Sequence, residues 1–302
     1  MDGFRPQLTL LTVGEGDFSA SLAILRAYHG SRSEEGIIKH LVATTLLSSK
    51  EDVVETYPSS KEILEELESN FGHVVTILYA VDATKLDEHP ELSTRSTRFD
   101  VILFHHPHLG YNNNSSTSDD HSMRHSSLLA HYFHSAQKLL PKRGYVHVCL
   151  CSGAIRSWKV EEIIQRQQLQ NALDSPMAAS RPLLEPLLTR LCTSDHKDNM
   201  EQQHPKANQK KVGGSRRGHW LGRYGYRHQP TFPQVTEFQT NVSSSYHFFL
   251  RPVTGSKDVL CLESNAEDKE DNKVHACGIC LQEFSTERAF REHQETPALP
   301  SL

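Results

Sequence analysis

Two glycines stand between a predicted strand and a predicted helix near the start of the chain. The apolar run Leu8–Val13 ends at Gly14, and Gly16 follows two residues later. Because glycine has no Cβ, the backbone at these positions can turn sharply and lie against a ligand. Ligands bind at the carboxyl edge of a parallel sheet, where helix N-termini point their free N–H groups. The spacing therefore predicts a ligand-binding loop, although a tight structural turn would use the same two glycines.

The acidic residues of this loop indicate the charge of its ligand. Loops that bind dinucleotides favour a third glycine, and here that region is Asp17-Phe18-Ser19. A carboxylate beside the pocket, such as that of Glu15 or Asp17, disfavours phosphate and favours a cation. S-adenosylmethionine carries a sulfonium and an ammonium group and no phosphate, so we predict that residues 14–19 bind this cofactor. Asp82, after the third predicted strand, is expected either to meet the adenine side of the cofactor or to cap a turn.

A histidine-rich segment follows the fourth predicted strand. It reads His105-His106-Pro107-His108. A histidine can accept a proton near neutral pH, so His105 and His108 are the candidates for a general base. The alternative is that the segment is only a polar strand end followed by a rigid proline turn, since most histidines are not catalytic.

The C-terminal tail has the ligand spacing of a zinc finger. Cys277 and Cys280 form a knuckle, two phenylalanines follow, and twelve residues separate Cys280 from His293. The second histidine of such a finger should follow within three to five residues, and residues 294–302 contain none. His275, water or another chain would have to complete the site, which would then be weaker than a closed one. A truncated finger that binds no metal is the alternative.

Cationic and aromatic residues alternate late in the chain. The basic segment Lys206–Arg217 is followed by Arg223, Tyr226, Arg227 and His228. Arginine and lysine bind phosphates while aromatic rings stack on exposed bases, so this pattern favours RNA as a partner. A solvated linker that leads into an ordinary turn is the alternative.

The elements that must position these residues alternate between strand and helix. The predicted strands are Leu8–Val13, Leu41–Leu46, Val74–Val81, Phe99–Phe104 and Tyr145–Leu150, with two late strands at Val235–Phe238 and Ser245–Leu250. Helical spacing of apolar residues separates the first five strands, and the polar run Tyr111–Ser122 is predicted to be a loop at the carboxyl edge. This alternation predicts an α/β fold with a doubly wound, mostly parallel sheet.

Composition limits the class of protein. The 302 residues are 37% hydrophobic and 23% charged with a net charge of −5, as expected for a globular protein without an overall basic surface. No apolar run reaches the roughly 18 residues that a membrane helix needs, and the N-terminus does not resemble a secretory signal. Six cysteines without a disulfide-like pattern favour the cytosol or nucleus over secretion.

Seven blocks of the sequence, taken in order, resemble the Rossmann-like methyltransferases that modify N3 of a uridine in large-subunit ribosomal RNA. The blocks are VGEGDFSASLAIL, ATTLLSSKEDVVETYP, YAVDATKL, FDVILFHHPHLG, LLAHYFHSAQKLL, HVCLCSGAIRSWKVEEI and YGYRHQPTF. A related domain occurs in the ferredoxin-fold anticodon-binding-domain proteins of animals. The resemblance implies a class I fold that uses S-adenosylmethionine, with residues 14–19 around the cofactor and the His-Pro-His loop facing the base. It also implies ribosomal RNA as partner, neither DNA nor membrane, and a location in the nucleus, nucleolus or cytoplasm.

Three positions depart from this family. Leu47 stands where the family has an acid that takes both ribose hydroxyls, His105 replaces an asparagine, and Cys151 replaces a lysine. Loss of the acid alone would cost roughly 1.5–3 kcal/mol, about a tenfold to hundredfold loss of cofactor affinity. The departures leave a second hypothesis, that the chain is an inactive member that acts as a scaffold for RNA or protein.

The resemblance and the composition divide the chain into four parts. Residues 1–173 and 219–252 are predicted to form the methyltransferase domain, and residues 174–218 a flexible insertion within it. Residues 253–273 are expected to be an acidic linker, and residues 274–302 the partial zinc finger.

Overall fold

A computed structural model describes residues 8–28, 38–93, 98–109, 118–142, 144–171, 226, 245–253 and 275–296. The strands are β1 (Leu8–Val13), β2 (Ile38–Thr44), β3 (Val75–Leu78), β4 (Val101–His105), β5 (Tyr145–Cys151), β6 (Leu169–Asn171), β7 (Ser245–Pro252), β8 (His275–Ala276) and β9 (Glu283–Phe284). The helices are α1 (Ser19–Tyr28), α2 (Lys50–Thr56), α3 (Ser60–Phe71), α4 (Pro90–Ser93), α5 (Ser118–Gln137), α6 (Ser152–Ser157), α7 (Val160–Arg166) and α8 (Glu287–Glu295), with a 3₁₀ helix at Ala83–Glu88.

Seven of the described strands form one sheet in the order β3-β2-β1-β4-β5-β7-β6. The first five strands run parallel to one another, and β7 runs antiparallel to both β5 and β6. All six residues of β1 are buried, as expected for a central strand with helices on both faces. The doubly wound, mostly parallel sheet predicted from the sequence is therefore confirmed.

The core has one apolar cluster on each face of the sheet. The cluster under α5 includes Leu11, Val13 and Phe104, while the cluster under α1 and α3 includes Leu10 and Leu103. Successive residues of a strand point to opposite faces, so β1 and β4 each supply both clusters. A fully buried leucine side chain contributes about 1.5–3 kcal/mol to the free energy of folding. Since both faces of the central strands are buried, a continuous apolar run stabilises them on both sides.

The register of the sheet brings the two candidate loops to the same edge. Val13 pairs with Phe104 across β1 and β4, and β4 ends one residue later at His105. The glycine loop after β1 and the histidine segment after β4 therefore leave neighbouring strands at the same level. This is the carboxyl edge, at which parallel sheets bind their ligands.

Several predicted elements differ from those observed. Helix α5 begins at Ser118, inside the polar run predicted as a loop, and Asp119 and Asp120 in its first turn suit the positive end of the helix dipole. Strand β3 stops at Leu78, because Ala80 adopts a left-handed conformation with φ 54°. The predicted strand 235–238, the insertion 174–218 and most of the acidic linker lie outside the described residues.

The described tail is a small ββα unit. Strands β8 and β9 pair antiparallel, and the Thr286 hydroxyl caps α8 by accepting a hydrogen bond from the N–H of Ala289 (3.2 Å). The tail contacts the larger domain: the Arg166 guanidinium donates to the Cys280 carbonyl (3.2 Å), and the Gln167 amide donates to the Ile279 carbonyl (3.3 Å). Among the described helices, none is both long and apolar enough to cross a bilayer.

Candidate cofactor and substrate site

Both glycines of the first loop stand where a side chain would collide with an aromatic ring. Gly14 has φ +66°, and a Cβ there would lie 2.6 Å from Cε2 of Phe104. A Cβ on Gly16 would lie 2.9 Å from Cζ of Tyr57. A Cβ contact below 3.0 Å forces a neighbouring group to shift, and both neighbours here are aromatic rings, so the packing of the loop favours glycine at both positions. The structural role suggested by the sequence is present, and it leaves the backbone of Gly14 exposed at the sheet edge.

Glu15 and Asp17 are tied into the start of α1. The Glu15 carboxylate accepts hydrogen bonds from the N–H of Ser21 (3.0 Å) and from the Ser21 hydroxyl, while Asp17 Oδ1 accepts from the N–H (3.0 Å) and the hydroxyl (2.7 Å) of Ser19. Both acids are at least nine-tenths buried. Burial raises the pKa of Glu15, and the charge of Asp17 raises it further. Both acids therefore hold the loop in shape, and the Asp17 carboxylate places negative potential within it.

Phe18 is also part of the loop's internal structure. Its backbone has φ 61°, and its side chain is fully buried with an edge-to-face contact to Tyr79 at 6.2 Å. Of the six residues predicted to bind the cofactor in this loop, Gly14 is the exposed one and Gly16 is half-buried, while the other four are buried. Ligand contacts from this loop would accordingly come mainly from its backbone.

Tyr57 also lies at this edge, although no motif of the sequence marks it. It ends α2, a helix that the periodicity did not reveal, and its ring packs against Gly16. Burial raises the pKa of its phenol, and the charge of Asp17 adds to the effect. The short helix with Ser49 as its N-cap was the signal that could have located Tyr57.

Asp82 and Leu47 flank the same edge. Asp82 Oδ1 accepts hydrogen bonds from the N–H (2.8 Å) and the hydroxyl (2.7 Å) of Thr84, so this carboxylate caps the 3₁₀ helix. The capping role foreseen as an alternative is therefore present, and contact with adenine stays a prediction. Leu47 is half-buried against the cluster under α1, and its carbonyl accepts from the N–H of Ala80 (2.8 Å).

His105 lies at the end of β4 among other aromatic rings. Its ring meets that of His147 edge-on at 5.4 Å and that of Tyr226 at 6.3 Å. Tyr226 packs against the cluster under α1. One predicted catalytic residue and one predicted RNA-binding residue are thus brought together, whereas Arg223, Arg227 and His228 lie outside the described residues.

His108 belongs to a different group of rings, on α5 and after α6. It lies 4.7 Å from His125, 5.3 Å from His121 and 6.5 Å from Trp158, measured between ring centroids. His125 in turn stacks on Trp158 at 4.3 Å. The two histidines predicted to be catalytic therefore have different surroundings, His105 beside Tyr226 and His108 against α5.

His125 fixes the loop that carries His108. Its Nε2 accepts a hydrogen bond from the N–H of Leu109 (3.1 Å), which assigns the proton to Nδ1, and Nδ1 donates to the carbonyl of His121 (2.7 Å). Burial lowers the pKa of His125 to about 3. Ligand nitrogens of His108, His121 and His125 lie within 4.8 Å of one another, but both nitrogens of His125 already have partners. This arrangement favours loop anchoring over metal binding.

The cysteines of the tail face a histidine that no sequence spacing links to them. The ligand atoms of Cys277, Cys280, His293 and His131 all lie within 4.8 Å of one another. Cys280 Sγ is 3.3 Å from Nε2 of His293, and Cys277 Sγ is 3.6 Å from Nε2 of His131 on α5. The hydrogen bond that the two thiols share lowers the pKa of Cys277 and raises that of Cys280.

His275 does not take the fourth position of this cluster. Its ring instead stacks on Phe290 at 5.8 Å within the tail's own small core. The suggestion from the sequence that His275 could complete the site is therefore wrong. His275 lies in β8, and its contact with Phe290 places its ring against α8.

A family model described as rRNA (uridine-N3-)-methyltransferase BTM5-like matches residues 11–181, more than half of the chain. The matched range contains the glycine loop, Asp82, the histidine segment and helix α5. It ends before the tail, so the cluster at Cys277 is not part of the match.

Two curated proteins align with parts of the chain. The "Heavy metal-associated isoprenylated plant protein 41" of Arabidopsis thaliana is 34% identical over 158 residues, which are 52% of this chain and 28% of that protein. The "Ferredoxin-fold anticodon-binding domain-containing protein 1 homolog" of Mus musculus is 29% identical over 144 residues, 48% of this chain and 20% of that protein. The chain thus corresponds to less than a third of the length of each.

Two bacterial methylases are among the solved structures that align with part of this chain. The ribosomal protein L11 methylase of Lactobacillus delbrueckii subsp. bulgaricus is 16% identical and covers 56% of this chain and 64% of that chain, with a TM-score of 0.34. A putative rRNA-methylase of Clostridium thermocellum is 14% identical and covers 56% of this chain and 80% of that chain, also with a TM-score of 0.34. Likeness at this level carries no weight for function.

Proposed function

Because the chain belongs to the BMT5-like family of rRNA (uridine-N3-)-methyltransferases, we propose that it methylates N3 of a uridine in large-subunit ribosomal RNA, with S-adenosylmethionine as the donor. The observation that carries the proposal is the loop at residues 14–19. It leaves the central strand of a parallel sheet at its carboxyl edge and is held in shape by two buried acids. The reaction would take place in the nucleus, nucleolus or cytoplasm, where ribosomal RNA is found.

The described residues fit a cationic cofactor at this edge. The Gly14 backbone is exposed, and the negative charge of Asp17 lies directly behind the loop, which favours a positively charged ligand over a phosphate. Asp82 uses one carboxylate oxygen for its cap and would offer the other to the adenosine part. S-adenosylmethionine supplies an activated methyl group, so the protein's task is to position the base and remove one proton.

The histidine segment would handle that proton. His105 or His108 would accept the N3 proton of uridine, leaving the N3 electron pair to take the methyl group. Tyr226, beside His105, offers a ring on which a uracil base would stack. His125 does not serve as the base, because it is held neutral and both of its nitrogens are bonded. Its role would be to position residues 105–109.

An inactive scaffold is the second candidate function, and one observation favours it. Leu47 stands where an acid would bind the ribose hydroxyls, and its side chain packs against the apolar cluster under α1. An apolar side chain there offers no hydrogen bond to the ribose, so cofactor affinity would fall by about tenfold to hundredfold. A chain that had lost the cofactor would still present Tyr226 and its neighbours to RNA.

Nucleoside mass spectrometry of large-subunit ribosomal RNA tests the proposal directly. In cells that lack the protein, we expect one 3-methyluridine per large subunit to disappear, because no other enzyme would methylate that uridine. Expression of the full chain should restore the modified nucleoside, and expression of a His105→Ala, His108→Ala variant should not. An unchanged 3-methyluridine content in the deletion cells would rule out the proposed activity and leave the scaffold hypothesis.

A further inference from the structure

We propose that Cys277, Cys280, His293 and His131 bind one zinc ion, which clamps the C-terminal tail to helix α5 of the methyltransferase domain. Three of these ligands come from the tail and the fourth comes from α5, 146 residues away from Cys277. The site is separate from the cofactor loop and from the histidine segment. It would be structural, because all four tetrahedral positions are filled by protein and none is left for a substrate.

The distances fit a tetrahedral site with two sulfurs and two nitrogens. With Zn–S near 2.3 Å and Zn–N near 2.0–2.1 Å, a tetrahedral ion would separate a sulfur from a nitrogen ligand by about 3.6 Å. The observed separations are 3.6 Å between Cys277 Sγ and His131 Nε2, and 3.3 Å between Cys280 Sγ and His293 Nε2. Two thiolates and two imidazoles in this geometry select zinc among the common divalent ions.

The burial of the four residues also fits a closed structural site. The exposed fractions are 4% for Cys277, 6% for His131 and 8% for His293, and Cys280 is partly buried against the larger domain's core. Phe284 lies 4.8 Å from the ring of His293, so apolar contacts shield the site from the tail side. Buried thiols and imidazoles gain little free energy from apolar surroundings, because burial removes their polar atoms from water. A cation bound by all four side chains would stabilise them there.

One face of helix α5 carries side chains that contact the cysteine knuckle. His131 and Ser127 lie four residues apart, and so they share one face of the helix; the Ser127 side chain hydrogen-bonds to Cys280. Around this face, Arg166 and Gln167 donate to the carbonyls of Cys280 and Ile279, and the Lys85 ammonium donates to the carbonyl of Glu295 (2.7 Å). The tail is thus held by α5, α7 and the 3₁₀ helix around the proposed ion.

The clamp explains why the tail lacks a second histidine. A complete finger closes its site from within its own helix, whereas this tail would close its site only when it is docked on α5. Helix α5 also carries His125, one and two-thirds turns before His131, which fixes the histidine segment of the candidate active site. The zinc ion would therefore join the tail to the helix that supports residues 105–109.

Metal analysis of the full-length chain and three variants tests the clamp. We expect the wild-type chain to hold one zinc ion, and His131→Gln, which keeps the size of the side chain but removes a strong ligand, to bind zinc more than about a hundredfold more weakly. The loss of an outer-shell partner already costs roughly 10–100-fold. His275→Gln is the matched control, since His275 also belongs to the tail but stacks on Phe290, and its affinity should be unchanged.

A second variant and a second measurement keep the test decisive if His131→Gln does not fold. His131→Cys would offer a thiolate in place of the imidazole, and after cobalt substitution its spectrum should show three thiolate ligands instead of two. Hydrogen exchange of residues 287–295 should slow when zinc is added to the wild type and not to His131→Gln. Zinc bound equally well without a ligand at position 131, a two-thiolate spectrum in His131→Cys, or a wild-type chain without zinc would overturn the proposal. Methyl transfer is not a readout, so the result is independent of the proposed function.

Discussion

Replacement of both His105 and His108 by alanine is expected to slow methyl transfer by about 10²–10⁴-fold, the usual contribution of a general base. They are the candidate bases at the sheet edge where β1 leads into the loop at residues 14–19 and where β4 ends. The rate should be measured under saturating cofactor with a ribosomal RNA fragment that contains the target uridine. Binding of S-adenosylmethionine should be unchanged, since neither histidine belongs to residues 14–19.

The single variants distinguish the two histidines, because their surroundings differ. Loss of His105 would remove the ring between His147 and Tyr226, whereas loss of His108 would leave that group intact and empty the space against His125. His73→Ala serves as the control, since His73 is an exposed histidine after α3. If the double variant transfers methyl groups at the wild-type rate, the assignment of the base to this segment is wrong.

The Gly14→Ala variant is expected to lose about 2–5 kcal/mol of its free energy of unfolding. The left-handed backbone at φ +66° costs an alanine roughly 1–2 kcal/mol, and the collision of its Cβ with Phe104 adds roughly 1–3 kcal/mol of overpacking. The Phe104 ring has little room to move, because it is buried and meets Tyr132 edge-on at 4.9 Å. Urea-induced unfolding of the full chain measures the change.

A double-mutant cycle separates the two contributions at Gly14. Phe104→Leu shortens the side chain that meets the new Cβ, so Gly14→Ala should be less damaging in that background, while the backbone cost remains. Glu65→Ala on the exposed surface of α3 is the control and should change stability by less than about 0.5 kcal/mol. A loss below about 1 kcal/mol in Gly14→Ala would show that the loop does not need glycine there.

Periodicity and apolar runs were enough to predict the elements that build the core. β1 has the predicted bounds, since a continuous apolar run leaves few alternatives. The resemblance to the uridine-N3 methyltransferases is also confirmed by the family match over residues 11–181, a range that contains the first six of the seven blocks. Helix α2 was missed because seven residues with one buried position carry too short an apolar pattern.

The direction of a charged side chain was not predictable in the same way. The sequence shows that Glu15 and Asp17 lie beside the loop, but not that each carboxylate turns inward to bond a serine of α1. The same holds for Asp82, whose cap on Thr84 depends on the local turn. Local hydrogen bonds of this kind compete with ligand contacts, and a sequence pattern does not tell which of them forms.

The fourth ligand of the tail could not be found by spacing alone. Ligand motifs are recognised by short intervals, and His131 is 146 residues from Cys277, on helix α5. On α5 it stands within a stretch that also contains His125 and His134, so nothing in the local sequence marks it. Only the docking of the tail against α5 brings this side chain to the knuckle.

Calorimetric titration of the full chain with S-adenosylmethionine tests the central claim most directly. We expect saturable binding with one site per chain, and competition by S-adenosylhomocysteine, because the loop at residues 14–19 is formed and carries the charge that a cationic cofactor needs. A folded chain that gives no binding heat at millimolar cofactor would contradict the account, and the fold would then serve as a scaffold rather than as an enzyme.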